Sequence, residues 1–331
     1  MCTSSIDQTL NYPDQLQNSS SSLQSTDHYN QDFSWERLAI VTANSLIQLG
    51  RFDVDNWRDN YIAESQANLA LKQNSSNNSL KAIITALPVI LFYHENETKL
   101  RQNLHHLLLE LQDETELAAG VLAVGYAISQ SLQQKLNPPT LIPQILTFIG
   151  TQLQISKQLA TVQILLKQRA SLEQAVSVIR NSESAMVFCD SSRSASLACG
   201  TLRERASAWS KSKEHSAEGI ALAFYCFLSS VQDLRLAVMR AAKINHQPQL
   251  ISMITGALSG AYHGSAGIPV NLQLALERDH TLAAWGMTST AQMLHLSDSL
   301  LAVWSGMMYN PAADAIMPLT AIAAPKIIRP R

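Results

Sequence analysis

The sequence is poor in charge and in cysteine, and both shortages exclude classes of protein. Charged residues make up 15% of the 331 residues and the formal net charge is −2, so no electrostatic attraction favours nucleic acid as a partner. The four cysteines are too few and too scattered for a disulfide framework or a paired-cysteine metal site. Because free thiols are typical of reducing compartments, we expect a cytoplasmic protein.

Long apolar runs and aromatic residues are also scarce. The longest nearly uncharged apolar stretches, Ile83–Tyr93 and Leu117–Ile128, are about half as long as a helix that spans a bilayer. We therefore expect no membrane insertion. Aromatic residues make up only 6% of the chain although 46% of it is hydrophobic, so the interior must consist mainly of Ala, Leu, Ile and Val. Such a composition favours closely packed helices.

Helical periodicity dominates the chain after an N-terminal segment that lacks it. Residues 1–32 are rich in Ser, Gln, Asn and Asp, which is typical of a disordered tail. From Leu38 to Leu49 apolar residues recur at spacings of three and four, and Gly50 stands where a C-cap is expected. No segment alternates as a strand would. The sequence predicts an all-α fold, with one multi-helix domain over residues 33–310 and a C-terminal extension over 311–331.

The sequence also leads to expectations for the bounds, bending or position of individual helices. Leu80–Tyr93 contains Pro88, which should bend or restart the helix. Leu141–Gln168 has the pattern of one helix. We expect the helices Leu38–Gly50 and Ile251–Tyr262 near the centre of the core, because small or aliphatic residues surround much of each.

The second of these central helices has two glycines four residues apart. Gly256 and Gly260 share one helical face, where the backbone of another helix could approach closely. We therefore expect Gly260→Leu to destabilise the protein through overpacking.

Isolated reactive residues do not form a recognisable catalytic motif. His106 and Glu110 are spaced so that both could approach one metal ion, but the same spacing is typical of an exposed polar face. Cys189 and Cys199 are either a redox pair or two tolerated thiols. The chain has no Gly-rich phosphate loop and no zinc-protease or nucleophile-elbow motif.

Five stretches, taken in order, resemble the ADP-ribosylglycohydrolase family, which includes dinitrogenase reductase-activating glycohydrolase. They are Leu38–Ile62, Ala86–Tyr93, Glu114–Ile128, Ile220–Ala242 and Ile254–Pro269. The last, ITGALSGAYHGSAGIP, is similar to the family's signature Ala-Gly-Ala-Leu-x-Gly-Ala-x-x-Gly-x-x-x-Ile-Pro. The resemblance implies an all-α enzyme fold that removes ADP-ribose from modified side chains or related acceptors with two magnesium ions.

The resemblance also implies where the magnesium ligands would stand, and this chain has other residues there. The family's Thr-Asp-Asp-Thr is replaced by Phe33-Ser34-Trp35-Glu36, and its Gly-Gly-Asp-Thr-Asp-Thr falls on residues 245–250. The former metal-site positions are Ser34, Trp35, Glu36, Gln247, Gln249 and Leu250. Magnesium gains much of its binding energy from anionic carboxylates, and both aspartate positions of the second element are glutamines. We therefore expect no metal site, no magnesium cofactor and no catalytic residue.

Three functions are compatible with these observations. The first is a catalytically inactive ADP-ribosylglycohydrolase-like protein, a pseudoenzyme that acts as a binding or regulatory module for a protein partner, with ADP-ribose or a nucleotide as an alternative ligand. The second is a divergent ADP-ribosyl or related N- or O-glycosidic hydrolase with a rebuilt cleft, whose polar groups would include Asn245 and His246. Of these only His246 titrates near neutrality. The third is a helical structural or interaction protein that shares with the family only a helical pattern of apolar residues.

Overall fold

A computed structural model describes residues 36–67, 78–111, 115–150, 153–187, 216–278, 282 and 285–306. Every regular element in these ranges is a helix, which confirms the predicted all-α class. The helices are α1 (Arg37–Leu49), α2 (Val54–Ala67), α3 (Asn78–Phe92), α4 (Glu97–Glu110), α5 (Thr115–Leu132), α6 (Pro138–Ile149), α7 (Gln154–Lys167), α8 (Leu172–Val187), α9 (216–229), α10 (Leu234–Ala242), α11 (Pro248–His263), α12 (Val270–Arg278) and α13 (Thr290–Trp304). None of the described helices combines the length and hydropathy that crossing a membrane requires. The predicted tail, 1–32, and the predicted extension, 311–331, lie outside the described residues.

The first helix ends where its sequence predicts. Gly50 has φ 63°, the left-handed conformation that glycine adopts without steric cost, and its N–H donates to the Leu46 carbonyl at 2.8 Å. The chain can therefore reverse at once, and α2 packs back on α1. Trp57 of α2 is 1% exposed, and its Nε1 donates to Thr42 Oγ1 at 2.9 Å. The indole thus joins the two helices.

Of the expectations for individual helices, one is wrong and another is wrong in part. The helix does not restart at Pro88, since α3 is a single helix with Pro88 inside it. Neighbouring residues such as Ile83 and Ile90 are fully buried, so packing outweighs the backbone hydrogen bond that proline removes. Conversely, the segment 141–168 is not one helix. It divides between α6 and α7 at Gly150, whose φ of 91° is incompatible with a helix.

The most deeply buried helix is α9, and the two expected at the centre contribute one face each. Every residue from 217 to 227 is buried. On α11, by contrast, Ile251, Ile254 and Leu258 are buried, whereas Met253 and Ala257 on the other face are only partly buried. An apolar run without a polar face, such as 219–228, requires neighbours on all sides. The core is therefore built around α9.

The close helix contacts occur at other glycines than those expected. No atom among the described residues lies within 4 Å of where a Cβ on Gly256 or Gly260 would stand. At Gly125 on α5, by contrast, a Cβ would stand 3.2 Å from both Ile90 Cγ1 and Leu104 Cδ1. The overpacking expected for Gly260→Leu is therefore wrong as far as the described residues are concerned, because none of them lies against that face of α11.

Cys226 lies in the middle of α9 and should be unreactive in the folded protein. It is fully buried, and burial raises the pKa of its thiol to about 11. At pH 8 only roughly one thiol in a thousand would be ionised, even if a reagent could reach it. We expect a disulfide reagent such as DTNB to modify Cys226 only after unfolding in guanidinium chloride, as followed by peptide mass mapping. Modification of the native protein at the rate of a free cysteine would contradict this burial.

Several core helices run in the same direction. On α3 and α5, Ile90 faces Gly125, and one turn later the His94 carbonyl accepts a hydrogen bond from Ser129 Oγ. On α9 and α11, Gln247 faces Gly219, and further along Thr255 Oγ1 donates to the carbonyl of Ala223 at 3.4 Å. Because the residue numbers rise together in both pairs, the helices in each pair are parallel.

Other contacts align these pairs with each other and with α1. The hydroxyl groups of Ser79 and Ser216, at the starts of α3 and α9, are hydrogen-bonded. At the opposite end, the N–H of Phe52, just after α1, donates to the hydroxyl of Tyr93, just after α3, at 2.9 Å. The starts of α1, α3, α5, α9 and α11 therefore lie at one end of the bundle, which we call the amino-terminal rim.

Candidate functional site

The amino-terminal rim brings together the first turns of five helices. The first N–H groups of a helix have no partner within it, and the helix dipole adds a partial positive charge at the same place. Several such ends directed toward one region favour an anionic ligand. Buried polar groups of Glu218 and Gln247 lie at the starts of α9 and α11.

A buried carboxylate and an imidazole meet at this rim. Glu218, in the first turn of α9, is 5% exposed. Its Oε2 lies 3.5 Å from Nε2 of His246, in the loop before α11. That distance is within the range of an ion pair but long for a direct hydrogen bond, and the pair carries opposite charges only when His246 is protonated. The histidine therefore has an acidic neighbour.

Glu218 was not among the site residues predicted from the sequence. One signal could have found it, because Glu218 is the only charged residue in the otherwise apolar run 217–228. A charged residue in a helix that is buried on all sides needs a partner or a function.

Gln247 is the most unusual residue of the rim. Its backbone is left-handed, with φ 47° and ψ 48°, which is uncommon for a residue other than glycine. Its side-chain Oε1 is buried without a hydrogen-bond partner among the described residues. A Cβ on Gly219 would stand only 2.7 Å from this oxygen. The absence of a side chain at Gly219 thus makes room for the Gln247 amide.

The other predicted site positions are dispersed. Asn245 and Gln249 are exposed, and Leu250 is 4% exposed in the core beside Gly219. Glu36 precedes α1, and burial raises the pKa of its carboxyl above the ordinary value, although a backbone hydrogen bond opposes the shift. Ser34 and Trp35 lie outside the described residues. Among the predicted positions that the structure describes, His246 lies beside Glu218, and Gln247 and Leu250 lie against the next residue, Gly219.

The His106 and Glu110 pair does not form a metal site. Both oxygens of Glu110 accept hydrogen bonds from the Arg58 guanidinium, at 2.8 and 2.7 Å. This hydrogen bonding lowers the pKa of the Glu110 carboxyl. Glu110 is therefore explained as part of an exposed polar helix face. The other pair, Cys189 and Cys199, lies outside the described residues.

The described residues of the rim do not fit a pair of magnesium ions. Magnesium requires near-octahedral oxygen ligands and is usually held by carboxylates. Within the described ranges no three His, Cys, Asp or Glu side chains lie close enough together to hold a metal ion. The donors that meet at the starts of α9 and α11 are the carboxylate of Glu218, beside an imidazole, and the neutral amide oxygen of Gln247. The carboxylates of Glu36 and Glu116 stand at the starts of α1 and α5, and Glu116 already accepts hydrogen bonds from the N–H groups of Gln154 and Ile155.

A comparison with known families now assigns the fold. The sequence model of the ADP-ribosylglycohydrolase family matches residues 15–306, a range that includes every described helix and the whole rim. No curated protein matches the chain in sequence. The family match extends over most of the chain. A match of this length is not expected if the chain shares only a helical pattern of apolar residues with the family. The chain therefore belongs to the ADP-ribosylglycohydrolase family.

Proposed function

We propose that this chain is a catalytically inactive member of its family, which acts in the cytoplasm as a binding or regulatory module. The observation that carries the proposal is Gln247. Its neutral amide oxygen is buried against Gly219, at a position where the family resemblance implies an aspartate that binds magnesium. An amide supplies an oxygen but no negative charge, so the electrostatic part of magnesium binding is lost.

The remaining features of the rim support ligand binding without hydrolysis. The helix starts of the rim still favour an anion, and His246 adds a group that can become positively charged. We propose a protein as the partner, with ADP-ribose or a nucleotide as the ligand at the rim. Such a ligand carries a diphosphate or phosphate group, which is the kind of anion that the first turn of a helix favours.

The first test measures magnesium binding and turnover. We expect titration calorimetry of the full chain to detect no magnesium affinity tighter than about millimolar, which is typical of a weak surface site. Peptides that are ADP-ribosylated on arginine or serine should release no ADP-ribose. Turnover that EDTA abolishes would contradict the proposal.

A restoration variant makes the test sharper. We expect the double variant Gln247→Asp with Gln249→Asp to remain inactive, because residue 249 is exposed and a single new carboxylate beside Glu218 is not a two-metal site. The variant Gln249→Asp alone is the matched control for the added charge. Metal-dependent activity in the double variant alone would show that these two carboxylates were all that the site lacked.

A second candidate function depends on the contact between Glu218 and His246. A carboxylate that orients an imidazole is an arrangement that enzymes use for general base catalysis. This pair is the specific observation that favours a divergent glycosidic hydrolase that needs no metal ion. The same peptides distinguish it, because its release of ADP-ribose would continue in EDTA and would be lost in His246→Gln.

A further inference from the structure

A cavity of about 590 Å³ lies away from the rim, between the start of α6, the end of α7, the second half of α9 and α10. Glu218 marks the rim end of α9, and Leu228 lines the cavity about 15 Å further along the helix axis. The cavity is therefore separate from the candidate site of the family.

One part of the cavity is apolar. Ile142 and Tyr225 line it and are 2% and 1% exposed. Leu166 and Leu228 are partly buried beside them. The Tyr225 hydroxyl donates to the carbonyl of Ala170, which fixes the ring in place. An apolar wall of this kind binds the hydrocarbon or aromatic body of a small molecule.

The other part of the cavity is positively charged. Lys167, Arg169 and Arg240 line it, and no Asp or Glu is among the described residues that do so. Within the described ranges none of the three forms an ion pair. Arg240 is half-buried, its Nη1 donates to Ser230 Oγ at 3.4 Å, and its guanidinium lies 5.8 Å from the centre of the Tyr225 ring. Most of its donors remain available.

The conformation of Arg169 adds a second argument. It has φ 51°, just after the end of α7, where glycine is the usual residue because a Cβ is unfavourable there. The dipoles of α7 and α10 favour a cation at each C-terminal end. These dipoles do not explain why three cationic side chains, from the ends of two helices, line one cavity that has no carboxylate among its described residues.

We propose that this cavity binds a small organic anion, in which a phosphate or carboxylate group is attached to an apolar body. Arg240, Arg169 and Lys167 bind the anionic group, because guanidinium and ammonium groups form charge-assisted hydrogen bonds to both kinds of oxyanion. The apolar body lies against Tyr225 and Leu228. A cavity of this volume is within the range that small-molecule sites occupy.

The test uses the full chain and four probes that separate the two parts of the cavity. We expect phenyl phosphate or benzoate, measured by titration calorimetry and ligand-observed NMR in low salt, to bind at least about tenfold more tightly than phenol and inorganic phosphate. The tighter of the first two probes identifies the anionic group. Equal binding of phenol would overturn the proposal, since the cations would then contribute nothing. Failure of both phenyl phosphate and benzoate to bind below about 10 mM would also overturn it.

Two charge variants locate the binding. Arg240→Met should weaken the better probe at least about tenfold, whereas Arg235→Met should leave it unchanged, because Arg235 is exposed on the same helix and does not line the cavity. Equal losses of probe affinity in both variants would overturn the proposal, because they would show general charge attraction. No loss of affinity in Arg240→Met would also overturn it, because the probe would then bind elsewhere. Lys167→Met, at an exposed position, provides the same test if Arg240→Met fails to fold.

Discussion

Replacing Trp57 by alanine is expected to lower the free energy of unfolding by about 3–5 kcal/mol. The indole is 1% exposed, stacks on Tyr61 with ring centres 5.2 Å apart, and donates its N–H to Thr42 Oγ1. Alanine would remove both contacts and leave a cavity between α1 and α2 that packed neighbours fill only in part. Chemical denaturation with urea, followed by circular dichroism, measures the change.

Two further variants separate the packing of Trp57 from its hydrogen bond. Trp57→Phe keeps much of the ring but loses the bond to Thr42, and we expect a smaller loss of about 1–2 kcal/mol. Trp304→Ala, at a half-buried position on α13, is the control for aromatic truncation and should cost less than Trp57→Ala. A loss below about 1.5 kcal/mol in Trp57→Ala would show that this indole does not hold α1 and α2 together.

The second large effect is expected for Gly125→Leu, which should destabilise the protein by about 3 kcal/mol or prevent folding. A Cβ alone would stand 3.2 Å from Ile90 Cγ1 and Leu104 Cδ1, and both of these side chains are fully buried. Leucine would add three more carbon atoms to that contact. Since α3, α4 and α5 meet there, the added volume has to displace a helix or force strained rotamers.

Gly260→Leu is the matched control for this variant. It makes the same chemical change in a helix, but no described atom lies within 4 Å of the new Cβ. We expect its free energy of unfolding to stay within about 0.5 kcal/mol of that of the wild type. If the two variants are equally destabilised in urea, a general effect of leucine at helical glycines would explain both, and the contacts at Gly125 would not.

The proposed inactivity and the proposed anion cavity are independent of each other. The first depends on Gln247 at the rim, and the second on Arg240 and its neighbours at the other end of α9. Loss of probe binding in Arg240→Met therefore says nothing about magnesium, and a negative hydrolysis assay says nothing about the cavity.

Features that depend on a few neighbouring residues could be predicted from the sequence. The end of α1 at Gly50 follows from one residue that tolerates a left-handed backbone. The start of α4 likewise follows from Asn96, whose Oδ1 accepts the Lys99 N–H at 2.9 Å. The family-like stretches implied the all-α class, which the structure confirms, whereas the former ligand position at Gln247 stays a prediction.

Where local signals conflicted with packing, the sequence prediction failed. Pro88 remains inside a helix because buried neighbours hold α3 together. Gly256 and Gly260 have the spacing of a helix contact, but spacing does not reveal whether another helix is present, and none of the described helices approaches them.

By itself, the sequence determined the helical class, the ends of helices such as α1, and the family, because helix caps and apolar periodicity act within a few residues. Only the tertiary structure decided which polar groups meet. Glu218 gained His246 as a neighbour through the packing of α9 and α11, and Lys167, Arg169 and Arg240 came to face one cavity from the ends of α7 and α10. Such contacts depend on how helices distant in sequence pack together, so no short segment of sequence can specify them.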